Sequence, residues 1–174
     1  AGNSTLLRAW DARAERLAAA WHLHTATCCT ALCTHPDARL VFAAFGDGRL
    51  SVVDARAPSK PVANYAHEHA AWIVHLSCHD LAATRELLSG CLDGPAKVWD
   101  RRAHKAALRT LHIQTSTMTA FAAHPHAPLL ASGSHNQFVK FMARDSRQIN
   151  VLRYHGGFLL SQRIGPVSAL AFHD

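Results

Sequence analysis

The sequence predicts an all-β fold made of a repeated four-stranded antiparallel unit, and three observations predict it. Two columns of recurring residues hold nearly the same period, a tight-turn signal falls between them, and Trp-Asp stands at two of the four equivalent positions. The first column consists of Thr30-Ala31-Leu32-Cys33-Thr34-His35-Pro36, Val74-His75-Leu76-Ser77-Cys78-His79-Asp80, Thr119-Ala120-Phe121-Ala122-Ala123-His124-Pro125 and Ser168-Ala169-Leu170-Ala171-Phe172-His173-Asp174, with histidine steps of 44, 45 and 49. Each segment is short and apolar and ends in a turn residue, as a buried strand does. The second column consists of Ala9-Trp10-Asp11-Ala12-Arg13, Val52-Val53-Asp54-Ala55-Arg56, Val98-Trp99-Asp100-Arg101-Arg102 and Phe141-Met142-Ala143-Arg144-Asp145, with steps of 43, 46 and 43.

Between the columns each repeat supplies two more strands and a hairpin. Residues 40–44 lead through Gly46-Asp47-Gly48 to 50–53, residues 87–90 through Asp93-Gly94 to 96–99, and residues 129–133 through His135-Asn136-Gln137 to 138–141. Asp-Gly or Asn at such a turn tolerates the positive φ that a tight hairpin demands. Four strands recurring every 40–45 residues or so, with Trp-Asp, are the signature of a WD-repeat β-propeller blade. The pattern divides the chain into a partial blade at 1–21, blades at 22–65, 66–110 and 111–156, and the first strand region of another at 157–174. Closed propellers have about four to eight blades. Three alone leave open sheet edges, so the chain is expected to be cut from a longer protein that supplies the remaining blades.

Composition narrows the function classes. Of 174 residues, 49% are hydrophobic and 17% charged, enough apolar content for a packed core. No apolar run approaches the roughly 20 residues of a membrane helix, so no membrane insertion is expected. The first residues lack the basic start and apolar stretch of a secretion signal, and the five cysteines follow no framework of regular spacings; reduced thiols and a cytoplasmic setting are therefore expected. Net charge is +6, yet no basic run exceeds Arg101-Arg102, and nucleic acid is not expected as a partner. Among Cys28, Cys29, Cys33 and His35, Cys29 to Cys33 has the spacing of a zinc-ligand pair, but no second such pair repeats it at a distance, and Cys on a strand is a small core residue. No Gly-x-Ser-x-Gly elbow and no phosphate-cradling glycine loop occurs. Neither metal, cofactor nor catalytic residues are therefore expected.

In WD-repeat proteins generally, a loop His, a Ser or Thr, a turn Asp and a strand Trp form a hydrogen-bonded set. The resemblance implies loop positions at His24, His67 and His112, and turn positions at Asp47, Asp93 and Asn136. Only the blade with His67, Ser89, Asp93 and Trp99 has a complete set, and its His is either His67 or His69. Trp10-Asp11, Asp54 and Asp100 are assigned the same structural role, while Val53 and Met142 replace Trp in two blades. Exposed aromatics and Arg on propeller loops anchor partners, which makes Trp72, His135, Asn136, Gln137, Phe158 and Arg163 the candidate contacts; packing between blades competes as the role of Trp72 and Phe158.

One stretch is more specific. His135-Asn136-Gln137-Phe138, then Ile149-Asn150, then Tyr154-His155-Gly156-Gly157-Phe158-Leu159-Leu160-Ser161-Gln162-Arg163-Ile164-Gly165 ahead of Leu170-Ala171-Phe172-His173 resembles the C-terminal propeller of the Raptor family, the regulatory subunits that associate with the TOR kinase. Ser161 stands where the family has Gly, and Asp174 where it has Pro. The resemblance implies a non-catalytic cytoplasmic scaffold that assembles kinase, substrates and nutrient-responsive GTPases, recruited to the lysosomal or vacuolar surface. The caspase-like domain and helical solenoid it also implies lie outside this sequence. The basic charge leaves a second reading, a WD-repeat subunit of an RNA-processing or chromatin assembly.

Overall fold

A computed structural model describes residues 6–23, 27–34, 39–57, 61–65, 68–79, 85–103, 105–153 and 165–173. Among them every regular element is a strand. β1 (Leu6–Asp11) pairs with β2 (Arg16–His22) in a two-stranded sheet. Three four-stranded antiparallel sheets follow in chain order: β3 (Cys29–Thr34), β4 (Leu40–Phe45), β5 (Leu50–Asp54) and β6 (Ala63–Asn64); β7 (Ile73–His79), β8 (Glu86–Cys91), β9 (Pro95–Asp100) and β10 (Arg109–His112); β11 (Met118–Ala123), β12 (Leu129–Ser134), β13 (Phe138–Ala143) and β14 (Gln148–Arg153). The meander order and strand number are those of propeller blades.

The registers make the repeat exact to the residue. Leu87 pairs with Trp99, Leu130 with Met142 and Val41 with Val53, so Trp99, Met142 and Val53 are equivalent. Each inner strand opens with an irregularity at the same place, between Cys29 and Ala31, Ile73 and His75, and Met118 and Ala120. His79 and His124 close equivalent inner strands: His79 lies opposite Glu86, and the His124 amide donates to the Leu129 carbonyl. His124 then turns the chain, its Nδ1 accepting from the amides of His126 and Ala127. His35 lies outside the described residues.

Each sheet buries its faces against its neighbours, giving three apolar clusters. Trp21, Phe45 and Val53 fill the seam between the first two sheets; Phe42, Tyr65, Ile73, Leu87 and Trp99 fill the next; Leu88, Val98, Met118, Phe121 and Leu130 fill the third. Two aromatic groups also lock the seams by hydrogen bonds. Trp21 Nε1 donates to the Ala57 carbonyl at 3.0 Å, and the Tyr65 hydroxyl to the Asp100 carbonyl at 3.2 Å. Both reach from an outer strand to the outer turn of the following sheet. Beyond β14, residues 165–173 continue the pattern: the Val167 carbonyl accepts from Thr119 Oγ1 at 2.6 Å, and Phe172 packs on His124.

The outer turns repeat a single device. Asp11, Asp54 and Asp100 each accept, through Oδ1, the backbone amide two residues on, at 2.8–2.9 Å. In the last sheet Ala143 takes the equivalent place, and Asp145 makes that bond to Arg147 instead. The outer strands leave aliphatic side chains exposed at matching heights, Leu17, Val62, Leu108 and Ile149, with Arg16, Arg109 and Arg147 nearby.

The hairpins between second and third strands need a left-handed residue at their third position. Gly48 (φ +83°) and Gly94 (φ +114°) supply it, and Gln137 (φ +66°) adopts it without being glycine. The sequence reading placed that freedom at Asn136; the turn bond from the Gln137 amide to the Ser134 carbonyl shifts it one residue on. A Cβ on Gly94 would also collide with the Gln114 carbonyl of the next loop. Gly94→Ala is therefore expected to cost about 2 kcal/mol or more, measured by denaturant unfolding followed through Trp fluorescence; an unchanged midpoint would contradict this geometry.

Candidate functional site

The polar set that rigidifies a blade is present once in its Trp form. Ser89 lies fully buried on β8, and its Oγ accepts from Trp99 Nε1 at 2.8 Å and meets His69 Nε2 at 2.7 Å. A buried indole N–H has no water to fall back on, so this one hydroxyl satisfies two groups at once. The structure thus seats His69, one of the two alternatives, in the loop position; His67 lies outside the described residues, as does His24. Asp93 sits exposed on the adjoining turn and acts on Cys91, whose thiol is pushed up to about 11 by burial first and by the Asp93 hydrogen bond second.

The next sheet solves the same problem with different atoms. Gln114, not His112, occupies the loop position, its Nε2 donating to Ser132 Oγ at 2.9 Å and to the Ser132 carbonyl. His112 is instead the exposed last residue of β10, opposite Pro95, because that strand runs two residues past the expected blade limit at 110. Gly48 and Gly94 confirm the equivalence, since a Cβ on either would strike the carbonyl oxygen of His69 or Gln114 respectively. In the β3–β6 sheet Ala43 stands in the serine position and Val53 in the Trp position, so apolar packing replaces the bonds. Trp10 is 66% exposed.

A seam contact escaped the sequence reading. Arg144, on the outer turn of the last sheet, reaches back 58 residues to Glu86 on β8, Nη2 to Oε2 at 2.6 Å. Both side chains are nearly covered, 10% and 13% exposed, and Arg109 joins Glu86 at 3.6 Å. Burial lowers the Arg144 pKa and Glu86 opposes that shift, so the guanidinium depends on its partner. Nothing local signals such a pair, because the two residues come from different repeats.

Of the candidate partner contacts, the described ones, Trp72, His135, Asn136 and Gln137, gather at one end of the sheets. The hairpin turns are tied there to the residues that enter the inner strands: the Leu92 amide donates to the Trp72 carbonyl, and the His135 amide to the Thr117 carbonyl. Trp72 packs between sheets and is exposed as well. Its indole lies against Gly46 of the preceding sheet, where an added Cβ would stand 3.2 Å from Nε1, yet the side chain remains 53% exposed. His135 and Asn136 are exposed and Gln137 half-buried at the same end. Asp47, with Arg49 at 3.4 Å, adds charge there. Phe158 and Arg163 lie outside the described residues. Among the described residues no group of three or more His, Cys, Asp or Glu is placed to hold a metal.

Two substitutions test this construction. Ser89→Ala strands a buried indole N–H and an imidazole, an expected loss of about 2–3 kcal/mol; equal loss from Ala43→Ser would show that the position, not the bonds, matters. Glu86→Ala leaves Arg144 buried and uncompensated, at about 3 kcal/mol, and adding Arg144→Leu should recover part of it; strict additivity in that cycle would refute the pairing.

Comparison with known proteins agrees with this architecture. The family "WD domain, G-beta repeat" matches residues 105–141. Over 98% of its length the chain is 33% identical to "Protein raptor homolog" of Dictyostelium discoideum, covering 11% of that protein. It is 30% identical over 99% of its length to "Regulatory-associated protein of TOR 1" of Arabidopsis thaliana, covering 13%. Among solved structures, Chaetomium thermophilum Raptor superposes with a TM-score of 0.87 at 26% identity, over 99% of this chain and 16% of that one. The chain thus spans little more than a tenth of the curated relatives it matches. Repeat, register and resemblance together identify it as a segment of a Raptor-family WD-repeat β-propeller.

Proposed function

We propose that this propeller segment serves as a non-catalytic protein-binding scaffold in TOR signalling, holding partners of a TOR-like kinase complex. The observation that carries the reading is the similarity to Raptor proteins along nearly the whole chain, joined to a propeller fold in which His69, Ser89 and Trp99 form a buried structural set. The contact surface proposed is the turn end bearing Trp72, His135, Asn136 and Gln137. A rigid, half-exposed indole braced on a neighbouring blade loses little entropy when a partner covers it, which is what an anchor requires. A cytoplasmic location, with recruitment to a lysosomal or vacuolar surface, is part of the same proposal.

The experiment is affinity capture of the intact protein followed by identification of what it retains. Recovery of a TOR-like kinase polypeptide is expected; retention of RNA or chromatin subunits without it would replace the reading with the alternative. Trp72→Ala should weaken retention about tenfold or more, as loss of an interface anchor does, with circular dichroism unchanged. Undiminished retention would move the contact surface elsewhere.

A further inference from the structure

Five cysteines are free, and two of them meet across a blade seam: Cys33 Sγ on β3 lies 3.4 Å from Cys78 Sγ on β7. The register explains how. Thr34 pairs with Val41 and Cys78 with Leu87, and Val41 and Leu87 lie opposite the equivalent Val53 and Trp99, so Thr34 and Cys78 are equivalent positions. Equivalent residues in successive blades face the same way and cannot meet. Cys33 is one residue out of that equivalence, and side chains alternate along a strand, so one thiol faces forward and the other back into a shared seam. At the following seam the corresponding residues are Ser77 and Ala123, and no second thiol pair arises.

We propose that Cys33 and Cys78 form an oxidisable cross-blade pair, a modification site at which a hydroperoxide converts two thiols into a disulfide joining neighbouring inner strands. Both cysteines are half-buried, not sealed in the core. One sulfur takes an oxygen from the peroxide, becoming a sulfenic acid as the O–O bond breaks and one water leaves. The second sulfur then attacks the sulfenic sulfur; an S–S bond forms, the S–O bond breaks, and the hydroxyl leaves as a second water. Two thiols lose two electrons and two protons, and one peroxide becomes two waters. The hydrogen bond to Cys78 and burial hold the Cys33 thiol well above the ordinary thiol range, which slows the first step and keeps the pair reduced without oxidant. The second step is intramolecular between atoms already in contact, and so outruns competing reactions. The product ties together segments 45 residues apart that are otherwise joined only by packing and hydrogen bonds.

The test uses the intact protein treated with hydrogen peroxide, the remaining thiols blocked with N-ethylmaleimide, and non-reducing tryptic mass spectrometry. Peptides 17–39 and 57–85 should appear linked, with fragmentation placing the bond at Cys33 and Cys78 and equal loss of their alkylated forms. Dithiothreitol should reverse the link. In Cys33→Ser the linked peptide should vanish, while Cys33→Ser and the wild type share one far-ultraviolet spectrum. A bond through Cys28 or Cys29, or oxidation of those two while Cys33 and Cys78 stay alkylatable, would overturn the proposal.

Discussion

The seam between successive sheets is the constraint on which everything else in this molecule depends. A four-stranded sheet with two apolar faces is not stable by itself, so each blade folds only against the blades beside it. Cluster after cluster of buried residues spans such a seam rather than lying within one sheet. The polar contacts obey the same rule. Trp21 and Tyr65 donate forward to the next outer turn, and Arg144 reaches backward to Glu86, so each seam is fastened at its rim as well as filled at its centre.

Within that frame the sheets differ in how they secure their second and third strands. One uses serine, indole and imidazole; one uses serine and an amide; one uses Ala43 and Val53 alone. The common requirement is that no buried donor be left without an acceptor. Removing the serine is therefore tolerable only where the indole is also gone, which is the combination found at Ala43 and Val53. The converse does not hold: the β11–β14 sheet keeps Ser132 although Met142 stands in the Trp position, because Gln114 supplies the serine's partner.

Much of this was legible in the sequence, and the physical reason is periodicity. Blade number, strand order and the equivalence of Trp10, Val53, Trp99 and Met142 follow from two columns that only a stacked repeat could keep in step. The outer-turn aspartates were marked as structural only through the WD-repeat resemblance; their bonds to the backbone amides two residues on emerge from the structure. Where reading failed, the deciding contact was not local. His112 and Gln114 are both plausible in the loop, and only the length of β10 separates them. The left-handed Gln137 carries no sequence mark, because an unfavourable backbone is imposed there by the hairpin around it. Arg144 and Glu86 belong to different repeats, though the steps from Trp21 to Tyr65 to Leu111 show that a third column was available to be found.

The exposed aliphatic residues on the outer strands have a colloidal meaning. Leu17 and Ile149 sit on β2 and β14 and Leu108 just before β10, strands that among the described residues have no outward neighbour in their sheets, the combination that invites edge-to-edge pairing between molecules. Arg16 and Arg147 lie beside them, while Arg109 is engaged with Glu86, and charged residues on an exposed edge oppose such pairing. Charge at an exposed edge acts over a distance that salt shortens, so its opposition to such pairing weakens as ionic strength rises.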